Sequence, residues 1–228
     1  MNSELIKLSF CLPTYNRLEY LRLTLNHLLR ELEQVSITYE INILDGGSND
    51  GTIEYLNSLD QINLFNGGLT DSCKSYRELF EKSQGCYLLQ MTDKQLIDLK
   101  PIIKACNIMD DDPEFGELLC KFGVFKNKEP FKVPNYNTNP SGIVFGDICL
   151  FRRNDALLYW DDNYSRGGCN FDFHLRLLLS GKIIAFSKEI TSYEMKFRHY
   201  DRLQFLFKWR KSNYVEGDEY LNKKYDNL

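Results

Sequence analysis

Three aspartates stand where apolar runs begin or stop. Asp45 closes the run Tyr39–Asp45 and is followed by Gly46, Gly47, Ser48, Asn49, Asp50 and Gly51. Asp93 follows Cys86–Met91 within Thr92-Asp93-Lys94, and Asp172 lies at the start of the apolar stretch Phe171–Ser180. A carboxylate at the carboxyl end of a buried parallel strand sits where open α/β sheets bind ligands. There it can accept hydrogen bonds from a bound ligand. A further apolar run, Leu5–Leu12, ends in Pro13-Thr14-Tyr15-Asn16-Arg17, which brings a ring, a hydroxyl and a guanidinium to one loop.

The elements that must position these groups follow from periodicity. Leu5–Leu12 reads as a strand stopped by Pro13, with Thr14 or Asn16 available to cap the first helix. Leu18, Leu21, Leu25, Leu28, Leu29 and Leu32 fall at helical spacing, with Glu19, Arg22, Arg30 and Glu33 on the other face. The Gly-rich turn after Asp45 predicts a second helix over Asp50–Leu59, capped by Asp50 or Ser48. Ile62–Phe65 is a third expected strand, Asp71–Ser83 a third helix and Cys86–Met91 a fourth strand. Alternating strands and helices with short connections predict a parallel sheet with right-handed crossovers.

Beyond Asp98 the rhythm changes. Leu99–Met109 is expected to be helical, and Asp110-Asp111-Asp112 before Pro113 reads as a solvated loop rather than a metal site. Leu118–Phe125 and Ile143–Phe151 read as strands. Between them Lys126–Ser141 carries Pro130, Pro134 and Pro140, a long loop and candidate lid. Trp160–Gly168 is a second turn-rich loop, and Lys182–Phe186 and Ile190–Met195 are short expected strands.

Composition narrows the class. A chain of 228 residues with 43% hydrophobic residues can bury one substantial core. A net charge of −4 argues against general nucleic-acid binding. Cys11, Cys73, Cys86, Cys106, Cys120, Cys149 and Cys169 form no CxxC pair and read as reduced, buried thiols. No window is long and apolar enough to span a bilayer, so a soluble, cytoplasmic protein is expected. Arg202–Lys211 mixes Leu203, Phe205, Leu206, Phe207 and Trp209 with four cations. That segment is expected to dock on the core, with peripheral contact to the inner face of a membrane as the alternative.

Taken in order, these segments resemble a family 2 glycosyltransferase of the GT-A fold, of the bacterial surface-polysaccharide type, over nearly the whole chain to about residue 200. Leu8–Leu25 resembles the family's opening strand, PTYNR loop and Leu-rich helix. LDGGSNDGT resembles its second strand end, GCYLLQMTDK its fourth strand and Asp-x-Asp motif, and FDFHLRLLLSG the later helix that carries the general base. The resemblance implies an α/β fold with a mostly parallel sheet flanked by helices over 1–200, and a short helical extension over 201–228 packed on it. It implies a hexosyltransferase-type enzyme moving a sugar, with inversion, from a nucleotide-sugar donor to a glycan or lipid-linked acceptor hydroxyl. Pro13, Thr14, Tyr15 and Asp45 would hold the nucleotide and Asp93 the ribose. Arg17, Lys74, Arg166 and Arg176 are candidate phosphate or acceptor contacts, and His199 a candidate late metal ligand.

Three departures qualify what the resemblance implies. Gly46 replaces the second acid of the usual DDGS, which puts base recognition in question. Asn170 stands where many relatives carry the general base, and asparagine cannot usefully accept a proton. Asp172 is therefore the expected base, with a simple helix cap as its alternative and Asp161 or Asp162 next in line. Relatives also place an acid where Lys94 stands, and that acid holds Mn²⁺ or Mg²⁺ against the pyrophosphate. A protonated lysine cannot ligate, so a weak or dispensable metal is expected, with Lys94 itself pairing with the pyrophosphate. The rivals are a sugar nucleotidyltransferase, whose basic glycine-rich loop is missing, and a catalytically inactive relative that binds sugars or a partner.

Overall fold

The computed structural model describes residues 5–68, 71–120, 131–132, 148–164, 169–186 and 192–194. The expected C-terminal extension, His199, Arg166 and most of the candidate lid lie outside these residues. The first half alternates as the periodicity requires: β1 (Leu8–Thr14), α1 (Leu18–Leu32), β2 (Tyr39–Asp45), α2 (Thr52–Asn57), β3 (Asn63–Asn66), α3 (Ser72–Lys82) and β4 (Tyr87–Gln90). There follow β5 (Gln95–Ile97), α4 (Leu99–Asp111), β6 (Phe115–Cys120), β7 (Phe131–Lys132) and β8 (Ile148–Arg152). The remainder is α5 (Arg153–Tyr159), α6 (Cys169–Leu179), β9 (Ile183–Phe186) and β10 (Ser192–Glu194).

One sheet runs in the order β3-β2-β1-β4-β8-β6-β9-β7. Only β8 and β7 oppose the common direction, so the sheet is mostly parallel. A second, two-stranded sheet pairs β5 with β10 antiparallel. Strand residues alternate between two cores. Phe10, Ile43, Leu89 and Leu150 face α1, α2 and α4, while Cys11, Leu44, Leu88 and Phe151 face α3, α5 and α6. A strand buried on both faces must be apolar throughout, which is why β1 and β4 read as continuous hydrophobic runs. On the second face Phe80 packs edge-on to Phe151 at 5.2 Å and to Trp160 at 5.1 Å.

Several expectations shift in detail. Pro13 does not stop β1, which runs on through Thr14 in register with β2. Met91 donates to the Cys11 carbonyl, so Cys11 faces β4, and Pro13 two residues later faces the same side beyond the last β4 pair. Its missing N–H therefore costs no ladder bond. Neither Thr14 nor Asn16 caps α1. Instead the Leu18 N–H donates to Asp50 Oδ2 at 3.0 Å, and Asn16 adopts φ +49, a conformation asparagine tolerates. Asp50 also receives the Thr52 N–H and hydroxyl, so one carboxylate organises the starts of two helices.

The acidic run is solvated as expected, but Asp110 and Asp111 close α4 instead of standing in a loop, and Asp110 accepts from Lys7 and from the Tyr87 hydroxyl. The short helix α5 had no counterpart in the sequence pattern. The described cysteines form no disulfide, and no described helix is long and apolar enough to cross a membrane.

The α3–β4 corner is the tightest glycine site among the described residues. A Cβ at Gly85 would lie 2.5 Å from Ser9 Oγ, 2.7 Å from Ser9 N and 3.0 Å from the Leu8 carbonyl carbon. Two of those atoms are backbone of the central strand and cannot yield. Gly85→Ala should lose about 1–3 kcal/mol, read by denaturant unfolding. A midpoint equal to that of the parent would show that β1 and the corner are looser than this packing requires.

Candidate functional site

The order β2-β1-β4 makes the gap between β1 and β4 the point where the chain's direction of winding reverses, the position at which such sheets open a ligand crevice. Three chain segments meet there. Thr14 ends β1, and its hydroxyl donates to Asp93 Oδ2 at 2.9 Å. Arg17, in the turn before α1, donates from Nη1 to Asp93 Oδ1 at 3.0 Å. Thr24, one turn into α1, holds the Asp93 backbone carbonyl at 3.1 Å. Asp93 is only 4% exposed. Burial pushes its carboxyl above the ordinary range, and the Arg17 charge, the two hydrogen bonds and the nearby Lys94 charge draw it back only in part.

Asp45 ends β2 directly beside Thr14 in the parallel register. Its Oδ1 accepts the N–H groups of Gly47 and Ser48 at 2.8 and 2.7 Å, and its Oδ2 the Ser48 hydroxyl at 2.6 Å. A carboxylate offers about four acceptor directions, so Asp45 mainly shapes its own turn. Ser48 passes the connection on by accepting the Asn16 N–H at 2.8 Å, and Asn16 Oδ1 receives the Asn49 N–H at 2.8 Å. The PTYNR loop and the Gly-rich turn thus form one interlocked rim. Ser48 serves this rim rather than capping α2.

The rim also explains Gly46. A Cβ there would meet Tyr15 Cβ and Cδ2, both at 3.3 Å, so the half-buried Tyr15 ring lies against the space that a side chain at this position would need. Pro13 is partly buried beneath the same rim.

The second side of the crevice comes from β4 and α6. Gln90, the last residue of β4, donates to Asn170 Oδ1 at 3.3 Å, which sets the start of α6 against the strand end. Asp172 lies within the first turn of α6, so it is not a cap, and it has no exposed surface. Arg176, one turn on, contacts Asp172 Oδ2 through Nε and Asp161 Oδ2 through Nη2, both at 3.0 Å. Sequence reasoning missed Gln90 and Gln95. Gln90 Oε1, Thr92 Oγ1 and Gln95 Nε2 are buried without a hydrogen-bond partner among the described residues. Three such atoms beside Asp93 mark a polar lining, and the glutamines interrupting the run LLQMTDKQ were its visible trace.

These residues do not form an obvious cation site. Asp93 is the one acid of the Thr92-Asp93-Lys94 segment, and Thr14 and Arg17 already engage both of its oxygens. A hard divalent cation needs several oxygen ligands, and Lys94 adds a positive charge where a second acid would help.

Comparison with known proteins agrees with this geometry. A family model described as Glycosyl transferase family 2 matches residues 9–93, the segment from β1 to Asp93. Among solved structures, S. aureus TarS 1–349 superposes with a TM-score of 0.64 at 18% identity, over 82% of this chain and 60% of that one. The TarS complex with UDP-GlcNAc gives 0.63 at 16% identity, over 86% and 61%. The mannosyltransferase PcManGT from Pyrobaculum calidifontis, in complex with GDP-Man and Mn²⁺, gives 0.66 at 13% identity, over 95% and 64%. The chain thus spans about three fifths of the length of each of these structures. Its own sheet order, its strand-end crevice and these superpositions together establish that the chain has the GT-A glycosyltransferase fold.

Proposed function

We propose that the protein is a glycosyltransferase that moves a sugar, with inversion, from a nucleotide-sugar donor to a hydroxyl of a glycan or lipid-linked acceptor. The observation that carries this reading is the junction of Thr14, Arg17 and Asp93 at the reversal point of the sheet, inside the segment that matches the family model. In this reading Tyr15 and Pro13 pack on the base, while Asp45 holds the rim in shape and offers its remaining lone pair to the nucleotide. Asp93 receives a ribose hydroxyl. Arg17 and Lys94 bring two positive charges to the crevice, where they stabilise the diphosphate as it leaves. Asp172 takes the proton of the acceptor hydroxyl once Arg176, which Asp161 also holds, releases the Asp172 carboxylate. A second reading, a catalytically inactive sugar-binding relative, is favoured by Asn170 and by the buried state of Asp172.

A donor panel separates the two. At a hundred times its Kd a true donor stabilises the fold by about 2.7 kcal/mol, or roughly 5–10 °C in Tm at ~2–4 °C per kcal/mol. Among UDP, GDP, dTDP and CMP sugars, one nucleotide class should give this shift and release free nucleotide on incubation. A shift without any release supports the inactive relative. No shift from any donor overturns the site itself.

The donor set around Asp93 predicts transfer that needs little divalent cation. Activity in EDTA should stay within about twofold of activity in Mn²⁺ or Mg²⁺, and Lys94→Ala should lower it roughly tenfold or more by removing charge from the leaving group. Full dependence on added metal, with Lys94→Ala unaffected, would refute the assignment.

For the proton acceptor, Asp172→Asn preserves shape while removing the base. Turnover should fall on the order of a hundredfold or more with donor Kd unchanged. Normal turnover removes Asp172 from the chemistry. A matched loss of Tm and donor affinity would assign its carboxylate to holding Arg176 and α6 in place.

A further inference from the structure

A buried cluster outside the donor crevice has the make-up of a metal site. Glu117 on β6 and Cys149 on β8 come from neighbouring antiparallel strands, in which Leu119 pairs with Cys149 and Glu117 with Phe151. This register puts both side chains on the face covered by α6. There Phe173 packs against Phe151 at 5.1 Å, and the next residue, His174, reaches the strands. His174 Nε2 lies 2.9 Å from Glu117 Oε1. One ligand atom from each of Glu117, Cys149 and His174 lies within 4.8 Å of the other two. Their exposures are 0%, 1% and 2%, so the cluster is sealed from bulk water.

Two physical arguments point to a cation. Glu117 Oε2 is buried with no hydrogen-bond partner among the described residues, and a carboxylate oxygen left so costs several kcal/mol. The charges also close. A divalent ion with one carboxylate, one thiolate and a neutral imidazole is a neutral group, the form in which ionic side chains are tolerated in a core. A mixed oxygen, sulfur and nitrogen donor set suits Zn²⁺ and is poor for Mg²⁺ or Ca²⁺. A zinc ion bonded at about 2.0–2.3 Å spaces its ligand atoms roughly 3.3–3.7 Å apart, about an ångström tighter than the outer limit of this cluster.

We propose that Glu117, Cys149 and His174 bind a zinc ion that fastens α6 to β6 and β8. On binding, the proton of the Cys149 thiol and any proton shared by His174 Nε2 and Glu117 Oε1 are released to solvent, the thiolate stays on the ion, and no electron transfer is involved. Cys149 pairs with Gln90, and Gln90 holds Asn170, so the ion would sit one layer beneath the crevice and brace the helix bordering it. This proposal does not depend on the transferase reading.

Full-length untagged protein, stripped by a chelator and titrated with Co²⁺, tests it without an activity assay. A thiolate-to-cobalt charge-transfer band should saturate at about one equivalent and be erased by Zn²⁺. Cys149→Ser should abolish the band, Glu117→Gln and His174→Gln should weaken Co²⁺ binding roughly tenfold or more, and Cys169→Ser should leave the band intact. Zn²⁺ should also raise Tm in the parent chain and not in Glu117→Gln. No band in the parent chain overturns the site. So does a band that survives in Cys149→Ser or disappears only in Cys169→Ser. If Cys149→Ser does not fold, the parent titration and Glu117→Gln decide alone.

Discussion

A carboxylate sealed inside a protein must be given partners, and Asp93 draws the crevice together for that reason. Leaving it unpaired at 4% exposure would cost several kcal/mol. Its partners are not local. One is the last residue of β1, another lies in the turn before α1, and Thr24 of α1 holds the adjoining carbonyl. Satisfying one buried charge therefore fixes the end of β4, the loop after β1 and the first turns of α1 relative to one another. Burial still wins on the carboxyl's protonation, which remains displaced upward. Such a group is poised to respond to any hydroxyl or cation brought against it.

Two further carboxylates work the neighbouring rim on different terms. Asp45 and Asp50 spend their hydrogen-bonding capacity on backbone N–H groups and hydroxyls of their own turn, with Asp50 reaching the Leu18 N–H of α1. Backbone donors at the starts of helices have no partner within the helix. Supplying one with a side chain from the adjacent turn joins two loops far apart in sequence. The geometry of the crevice is thus fixed before any ligand is present, so less ordering entropy opposes binding.

Much of this was legible in the chain because the relevant signals are local. Leucines at helical spacing announced α1, and the glycine-rich run after Asp45 announced the turn. The apolar strands before Asp45 and Asp93 fixed the sheet's ligand edge. What stayed hidden depends on contacts between distant segments. Whether Pro13 ends a strand is decided by which neighbour its missing N–H would face, a property of the sheet and not of the dipeptide. Asp172 read as a base or a helix cap, and its ion pair with Arg176 shows only in the folded chain. Asp110 is solvated as read, but its bonds to Lys7 and Tyr87 were hidden because those partners stand a long way off in sequence. Glu117 stood in no motif, and His174 lay in FDFHLRLLLSG with no role assigned to it, since their meeting depends on how β6, β8 and α6 pack.

The antiparallel strand β8 bears on how the polypeptide can be divided. β6 and β9 join the first four strands only through β8, which pairs with β4 on one side and β6 on the other. A fragment ending near residue 93 would leave the outer ladder of Tyr87–Gln90 bare, with Leu88 and Leu89 on a flat apolar edge. Exposed edges of this kind recruit further strands and lead to aggregation. The stretch richest in recognisable motifs is therefore not a self-sufficient folding unit. Nascent chain emerging in order must keep that edge shielded until residues 148–152 arrive to close it.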